Sequence, residues 1–490
     1  MRVTPPSLSF PRRRLDIWPL HSGRFLPANP HILPCAPRVV VTATRTVEDV
    51  LRGGGFTSFH RRVVLITGFA WTFVAFEIIL ISLVLPVIGA EFGIVDPTTF
   101  TPTDPFQYGA VASATLVGSL VGSLTLGRLS DARGRRFLFQ ASVVSYSIFT
   151  ALTALSINVP SLFVLRMLAG VGLGGLLVID PAILSEYLPP QHRGRYMVLL
   201  DFFWPAGFLV AIAFWYVFVV GLGGAWRLLF LAASFPAFIA FLFRRTIPES
   251  PFYLARQGRL EEASNVLRQV ARTDVSSSQL AAEPTIPRAP VSDLFRGELL
   301  RRTTVTIGVW IALNFSYYGL FLWLPPALAG FGIVDFGNPN TLALFLVFSA
   351  VAQFPGYAAS FLLVDRWGRK RTLALFLILG GFSGYVFATA RDFWTLVVGL
   401  FFVSFFNLGA WGAVYPYTSE LFPTQYRATG FGLAEGVGKV TAVLAPLAFA
   451  ALYATTGGVL WPLTSVAILM LIGGLIAGFF GPETKGASFT

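Results

Sequence analysis

The sequence predicts an all-α membrane protein of twelve transmembrane helices, built as two six-helix repeats in the same orientation. Three observations predict it: the composition, the length and spacing of the apolar runs, and short motifs that recur at one fixed offset. Of the 490 residues, 55% are hydrophobic and 12% charged. Soluble domains carry roughly 25% charged residues. A water-facing fold of this composition would have nowhere to put its apolar surface.

A helix needs about 20 apolar residues to cross a bilayer. Runs of that kind fall at 63–89, 107–127, 137–157, 160–184, 195–219, 226–244, 303–329, 340–364, 372–390, 392–416, 428–454 and 458–480, here spans 1 to 12. Residues 45–244 thus form a first bundle and 303–490 a second. Between them, 245–302 is a polar cytoplasmic loop whose "LARQGRLEEASNVLRQVAR" has the period of an amphipathic helix. Residues 1–44 are rich in Pro and Arg and lack the apolar core of a secretory signal. They are expected to be a disordered extension or the product of a start codon placed too early.

Orientation follows from Lys and Arg. From residue 45 on they gather before span 1, in the 2–3, 4–5, 6–7, 8–9 and 10–11 connections, and in the tail. The opposite loops hold only Arg227 and Arg391. Both termini are therefore expected in the cytoplasm, in a multi-pass protein of the cell membrane.

The repeat is read from the motifs. "GRLSDARGRR" and "FLLVDRWGRK" place Asp131 and Asp365 234 residues apart. "SEYLPPQHRG" and "SELFPTQYRA" separate Glu186 from Glu420, and Arg193 from Arg427, by the same 234. Pro248 of "IPESP" and Pro482 of "GPETK" keep that offset too. Parallel halves related by an axis along the membrane normal are a transporter architecture, with the substrate site between them near the midplane.

Several function classes drop out. The net charge of +12 reads here as membrane orientation, not as affinity for nucleic acid. A single cysteine, Cys35, allows no disulfide framework within the chain, and all four histidines lie outside the apolar runs. No nucleophile, base and acid fall at catalytic spacing, so neither an enzyme nor a bound metal or cofactor is expected.

These residues resemble the major facilitator superfamily. "GRLSDARGRR" resembles its 2–3 loop motif and "DRWGRKR" the second copy, with Phe361 where a leading Gly is expected. "RMLAGVGLGG" with "SEYLPPQHRG" resembles its fourth span and following loop. "PESPFYL" and "PETKG" resemble the sugar-porter branch, whereas "NFSYYGLFLWLPP" and "LGAWGAVYPYTSELFPTQYRATGFG" look closer to metabolite:proton and aromatic-acid:proton symporters. The resemblance covers about residues 45–486 and implies the major facilitator fold. The glycine-rich fifth-span motif of drug exporters is missing, which speaks against efflux.

The charges inside the spans carry the expected mechanism. A charge at the bilayer centre costs roughly 2.5–3.5 kcal/mol on insertion scales, so it normally faces protein or water. Glu77 lies about 21 Å along span 1 from Val63 at about 1.5 Å per residue. It is read as a proton site or as half of a permanent ion pair. The resemblance implies that Arg166 in span 4 faces it; related symporters have a second acid three residues earlier, where this chain has Val74. Asp201 and Glu435 are again 234 residues apart and each follows its loop arginine by eight, as repeat-matched acids of a charge network. Together these four form the expected proton-coupling set. Lys439 lies close to mid-membrane and is matched by Pro205, so only one half has a base there. It is expected either to attract a substrate carboxylate or to pair with Glu435 one helical turn away.

Trp204, Asn314, Tyr317, Tyr318, Trp323, Asn407 and Trp411 are candidate wall residues of the substrate cavity, since pockets combine aromatic walls with a few polar groups. Asp180, before Pro181, is a gate or packing acid. The resemblance implies that Asp131, Arg135, Glu186, Arg193, Asp365, Arg369, Glu420 and Arg427 form ion pairs of an inner gate. The span 2 and span 4 glycines are read as close helix contacts.

The expected function is alternating-access uptake of a small organic anion, an aromatic or other carboxylate, coupled to protons, by a monomer in the lipid bilayer. A sugar or polyol symporter is the alternative that "PESP" and "PETKG" support, and an organic-cation carrier the one the acids support. From another class, a non-transporting receptor on this fold is opposed by the paired gate charges.

Overall fold

The computed structural model describes residues 45–244, 246–281, 290–333 and 338–485; the segment 1–44 lies outside them. Every predicted span is a helix: Ser58–Glu91, Pro105–Arg133, Arg135–Thr153, Val159–Tyr187, Arg195–Gly221, Trp226–Arg244, Gly297–Leu322 with Leu324–Phe331, Pro339–Trp367, Arg369–Ala388, Phe393–Leu421, Thr424–Thr456 and Leu460–Phe480. Ten are long and apolar enough to cross a membrane on their own. Span 3 falls short because Arg135, Arg136 and Gln140 dilute its start, and the apolar part of span 6 is the shorter Trp226–Phe235.

Local chemistry sets the helix starts. At the end away from the basic loops, Asp104, Asn158, Asn338 and Asp392 cap spans 2, 4, 8 and 10 by accepting backbone N–H bonds from Gln107, Ser161, Asn340 and Trp394. Pro105, Pro160 and Pro339 then fill first-turn positions where the missing N–H costs nothing.

Spans 2 and 4 pack at backbone distance. A Cβ on Gly118 or Gly122 would fall on the carbonyl oxygens of Met167 or Val171, and one on Gly170 on that of Thr115. The second half repeats this contact 234 residues on, with Gly356 against the carbonyl of Phe405. The predicted close contacts of spans 2 and 4 are thus formed, and the second half holds a counterpart that was not predicted.

Two spans are broken. Span 5 loses its helix at Phe202 and Phe203, between Pro190–Asp201 and Trp204–Trp215, because Pro205 has no N–H to give. The Thr72 hydroxyl of span 1 donates to the carbonyl of Phe203 at 3.3 Å. Span 7 breaks at Trp323, ahead of Pro325 and Pro326. Non-helical backbone at membrane depth is tolerated where protein or a cavity covers it.

The predicted loop helix is two, Pro251–Arg256 and Leu260–Ala271, because Gly258 takes φ of +73° between them. They pack with a short helix, Val47–Gly53, that the sequence reading passed over. The halves meet at the end away from the basic loops. There the Ser113 hydroxyl of span 2 donates to the carbonyl of Val443 in span 11 at 2.8 Å. Tyr108 packs edge-on against Trp323 at 5.0 Å, and Phe208 against Phe321 at 5.9 Å.

Candidate substrate site

A cavity of about 630 Å³ lies between the halves and reaches the basic end, where Ser185, Ser419 and Arg427 border it. The break in span 5 shapes its wall. It ends one helix at Asp201 and starts the next at Trp204, and both residues line the cavity. Asn314, Tyr317 and Tyr318 of span 7, Trp411 of span 10, and Glu435 and Lys439 of span 11 line it as well.

The aromatic groups interlock. Trp204 Nε1 donates to the Tyr317 hydroxyl, which fixes both rings across the two halves. Trp310 stands edge-on to Trp411 at 5.8 Å and donates from Nε1 to Thr418 Oγ1 at 2.9 Å. Asn314 donates to the carbonyl of Trp310 at 2.8 Å. Trp71 Nε1 and Trp411 Nε1, both in the cavity wall, have no acceptor among the described residues. Buried donors of this kind normally find a partner, so they are two unused donors for whatever enters. The sequence reading missed Trp71, Trp310, Tyr357 and Tyr415. Helical spacing held a signal for two of them: Trp310 is four before Asn314, and Tyr415 four after Trp411, each on its neighbour's face.

The charges in the wall are Asp201, Glu435, Arg427 and Lys439. Lys439 Nζ sits 3.1 Å from Glu435 Oε1, and their side chains are 14% and 28% exposed. The intrahelical pair foreseen as one option is therefore formed, and it is open to the cavity. Asp201 is buried, with no cation within ion-pair distance among the described residues.

The other predicted residues lie elsewhere. Arg166 Nη1 meets Glu77 Oε2 at 3.0 Å and its Nη2 donates to the Glu77 carbonyl at 3.0 Å. Both side chains are 0% exposed, and neither lines the cavity. The guanidinium also lies over the Phe230 ring at 5.2 Å. Trp323 is buried at the span 7 break, packed on Tyr108 and Tyr453 on the closed side. Asn407 faces the interior of the second bundle, donating to Ser316 Oγ at 2.8 Å. Asp180 is buried beside the wall residue Pro181 without lining the cavity itself.

The motif charges form a matched frame at the basic end. Arg135 pairs with Asp131 and Glu186, both at 2.9 Å; Arg369 pairs with Asp365 at 3.2 Å and Glu420 at 2.9 Å. Each of these pairs ties helices within one half, so none of them bridges the halves here. Arg193 is half-buried, and burial holds its pKa below the usual arginine value against the pull of Glu48 and Glu186. Phe361, the departure from the loop motif, takes the Arg195 guanidinium over its ring at 5.4 Å, a contact between spans 8 and 5.

Two further acids complete the frame. Glu249 Oε1 accepts the backbone N–H groups of Arg135 (3.0 Å), Arg136 (3.2 Å) and Ser250 (3.0 Å). Glu483 Oε1 does the same for Arg369 (2.9 Å), Lys370 (3.4 Å), Thr484 (3.0 Å) and Lys485 (3.1 Å). These clasps hold the first turns of spans 3 and 9, preceded by Gly134 and Gly368 at φ of +98° and +106°. The signal was in the sequence: Glu249 and Glu483 sit in "IPESP" and "GPETK", 234 apart.

Known proteins resemble this chain in sequence and in fold. The family model described as sugar (and other) transporter matches residues 63–490. The niacin transporter NiaP of Acinetobacter baylyi is 32% identical over 435 residues, spanning 87% of this chain and 95% of that protein. The inner membrane metabolite transport protein YdjE of Escherichia coli is 29% identical over 403 residues, 78% of this chain and 86% of that protein. Among solved structures, the partially occluded inward-open conformation of the E. coli xylose transporter XylE superposes with a TM-score of 0.70 at 18% identity, over 88% of this chain and all of that one.

Proposed function

The chain belongs to the sugar (and other) transporter family of the major facilitator superfamily, and on that premise we propose that it takes up a small aromatic carboxylate, of which nicotinate is the first candidate. The observation that carries this reading is one cavity joining a ring-lined wall, Trp71, Trp204, Trp310, Tyr317 and Trp411, to a membrane-embedded cation, Lys439. An aromatic ring would stack among the indoles while its carboxylate reaches the ammonium. The volume of about 630 Å³ lies within the roughly 300–1,000 Å³ of small-molecule sites. The relative named as a niacin transporter supports the same substrate class.

In this proposal the basic end is the cytoplasmic one, as the Lys and Arg distribution implies. The chain acts as a monomer in the cell membrane, and the matched motif charges rearrange as the inner gate when the halves rock. Uptake is coupled to protons, with Asp201 and Glu435 the acids that the cavity reaches. Glu77 and Arg166 contribute to coupling through a rearrangement of the first half that opens their sealed pair. A sugar is the second reading, favoured by the family's name. It does not by itself use the membrane-embedded cation Lys439, which an uncharged sugar leaves unmatched.

The test is a thermal-shift screen of purified protein against carboxylates, sugars and amines, followed by uptake into proteoliposomes. Nicotinate should stabilise the wild type and accumulate, and Lys439→Ala should lose both effects. Stabilisation by sugars alone, or full uptake by Lys439→Ala, would refute the carboxylate reading.

A further inference from the structure

Resting on that carboxylate reading, we infer that Glu435 is the proton carrier, freed to protonate when the substrate's carboxylate displaces it from Lys439.

The cavity wall holds two acids, Asp201 and Glu435, and two bases, Arg427 and Lys439. The rest of the lining is mainly aromatic and aliphatic. A carboxylate that takes Lys439 leaves Glu435 without its counter-ion, a negative charge at low dielectric. Taking up one proton removes it.

Geometry decides which acid takes that proton. Glu435 is the acid bound to the cation that a substrate carboxylate would seek, at 3.1 Å, and both partners face the cavity. Two carboxylates cannot share one ammonium without repelling each other, and interacting acids of this kind titrate together. As the substrate takes the lysine, Glu435 loses its counter-ion. The groups that face it do not replace that charge. Tyr318 of span 7 and Tyr415 of span 10 are neutral hydroxyls, and Tyr415 stands within electrostatic reach of both Glu435 and Asp201. Asp201 is an acid, and Arg427 lies two turns away on the same helix. Asp201 is the weaker choice because it has no cation to lose. Glu77 is excluded from the exchange in this conformation, since no cavity atom reaches its pair with Arg166.

The cycle then balances. A carboxylate and a proton enter from one side. The substrate anion sits on Lys439 and the proton on Glu435. On release the proton leaves, Glu435 returns to Lys439, and no net charge has moved.

The experiment uses the full-length protein in detergent and labelled nicotinate, at pH values from about 6 to about 8. Wild type should take up one proton per nicotinate bound, read with a pH indicator, and its Kd should rise about tenfold per pH unit, as linkage to one proton requires. Glu435→Gln should bind nicotinate with no proton uptake and a flat pH profile. Glu435→Asp should restore both signals. A flat profile shared by Gln and Asp variants that melt at the wild-type temperature overturns the inference. So does wild-type proton uptake in Glu435→Gln, or its loss in Asp201→Asn instead. Absence of nicotinate binding to wild type overturns the carboxylate reading itself, a separate result.

Discussion

The sealed pair of Glu77 and Arg166 gives a thermodynamic prediction that does not depend on the substrate. Both side chains are 0% exposed, with one ion-pair contact at 3.0 Å and a second guanidinium bond to the Glu77 carbonyl at 3.0 Å. Removing one partner of such a pair strands the other charge, at a cost of about 3–5 kcal/mol. Glu77→Gln should therefore lower stability strongly although it changes only one oxygen to nitrogen. Arg166→Gln should do the same. The double variant leaves two neutral amides that can still bond to each other, so it should be more stable than either single variant, with a coupling of at least about 2 kcal/mol. Melting can be followed on the chain itself without a label. Its 11 tryptophans make intrinsic fluorescence the natural readout of melting. Additive melting shifts, with Glu77→Gln close to wild type, would refute the pair as a charged lock.

The frame yields three further predictions. Gly122→Ala and Gly356→Ala place a Cβ on a backbone carbonyl that cannot swing aside, so each should cost about 1–3 kcal/mol by forcing two spans apart; unchanged melting temperatures would contradict this. Burial opposes the charge of Glu483, but four backbone N–H donors outweigh it and hold its pKa below the usual carboxylate range. Its contribution to stability is therefore complete above the unfolded value of about 4.3 and disappears as pH falls through the lower folded value; Glu483→Gln should flatten that part of the acid melting curve. Phe361→Leu removes the ring beneath Arg195 and should weaken the contact between the halves at the basic end by about 0.5–1 kcal/mol, read as increased cysteine labelling of a Ser185→Cys reporter at the cavity border.

The frame was legible in the sequence because it repeats. One offset of 234 aligns Asp131, Glu186 and Arg193 with their partners, and it also aligns Glu249 with Glu483 and Gly122 with Gly356. Apolar length located all twelve spans because a bilayer demands it. The wall was less legible. Trp323 and Asn407 have the residue types of a pocket, yet they face the closed side and the bundle interior, because helix rotation is set by packing with neighbouring spans. Ion-pair reach was legible from spacing where two charges share a helix, as Glu435 and Lys439 do, and from the family resemblance for Glu77 and Arg166. Arg135 and Arg369 instead choose partners in their own half, and no spacing along the chain distinguishes that from a bridge between halves.

The same offset separates what holds the protein together from what distinguishes it. The frame positions that clasp, pair or pack closely at the basic end and between spans 2 and 4 are matched across the repeat, because both halves must solve the same folding problem. The rings and the lysine of the cavity wall are not, although its acids Asp201 and Glu435 are. Trp204 is matched by Gly438, Lys439 by Pro205, Trp411 by Leu177, Tyr415 by Pro181 and Asn314 by Leu80. The pair Lys439 and Pro205 shows how the asymmetry works. In one half the position breaks span 5 and turns Asp201 and Trp204 toward the cavity; in the other it carries the cation. A site built from matched positions would present the same groups to both ends of a substrate. This one sets rings from both halves around one cationic corner in the second half, which suits a ligand with an aromatic body and a single negative end.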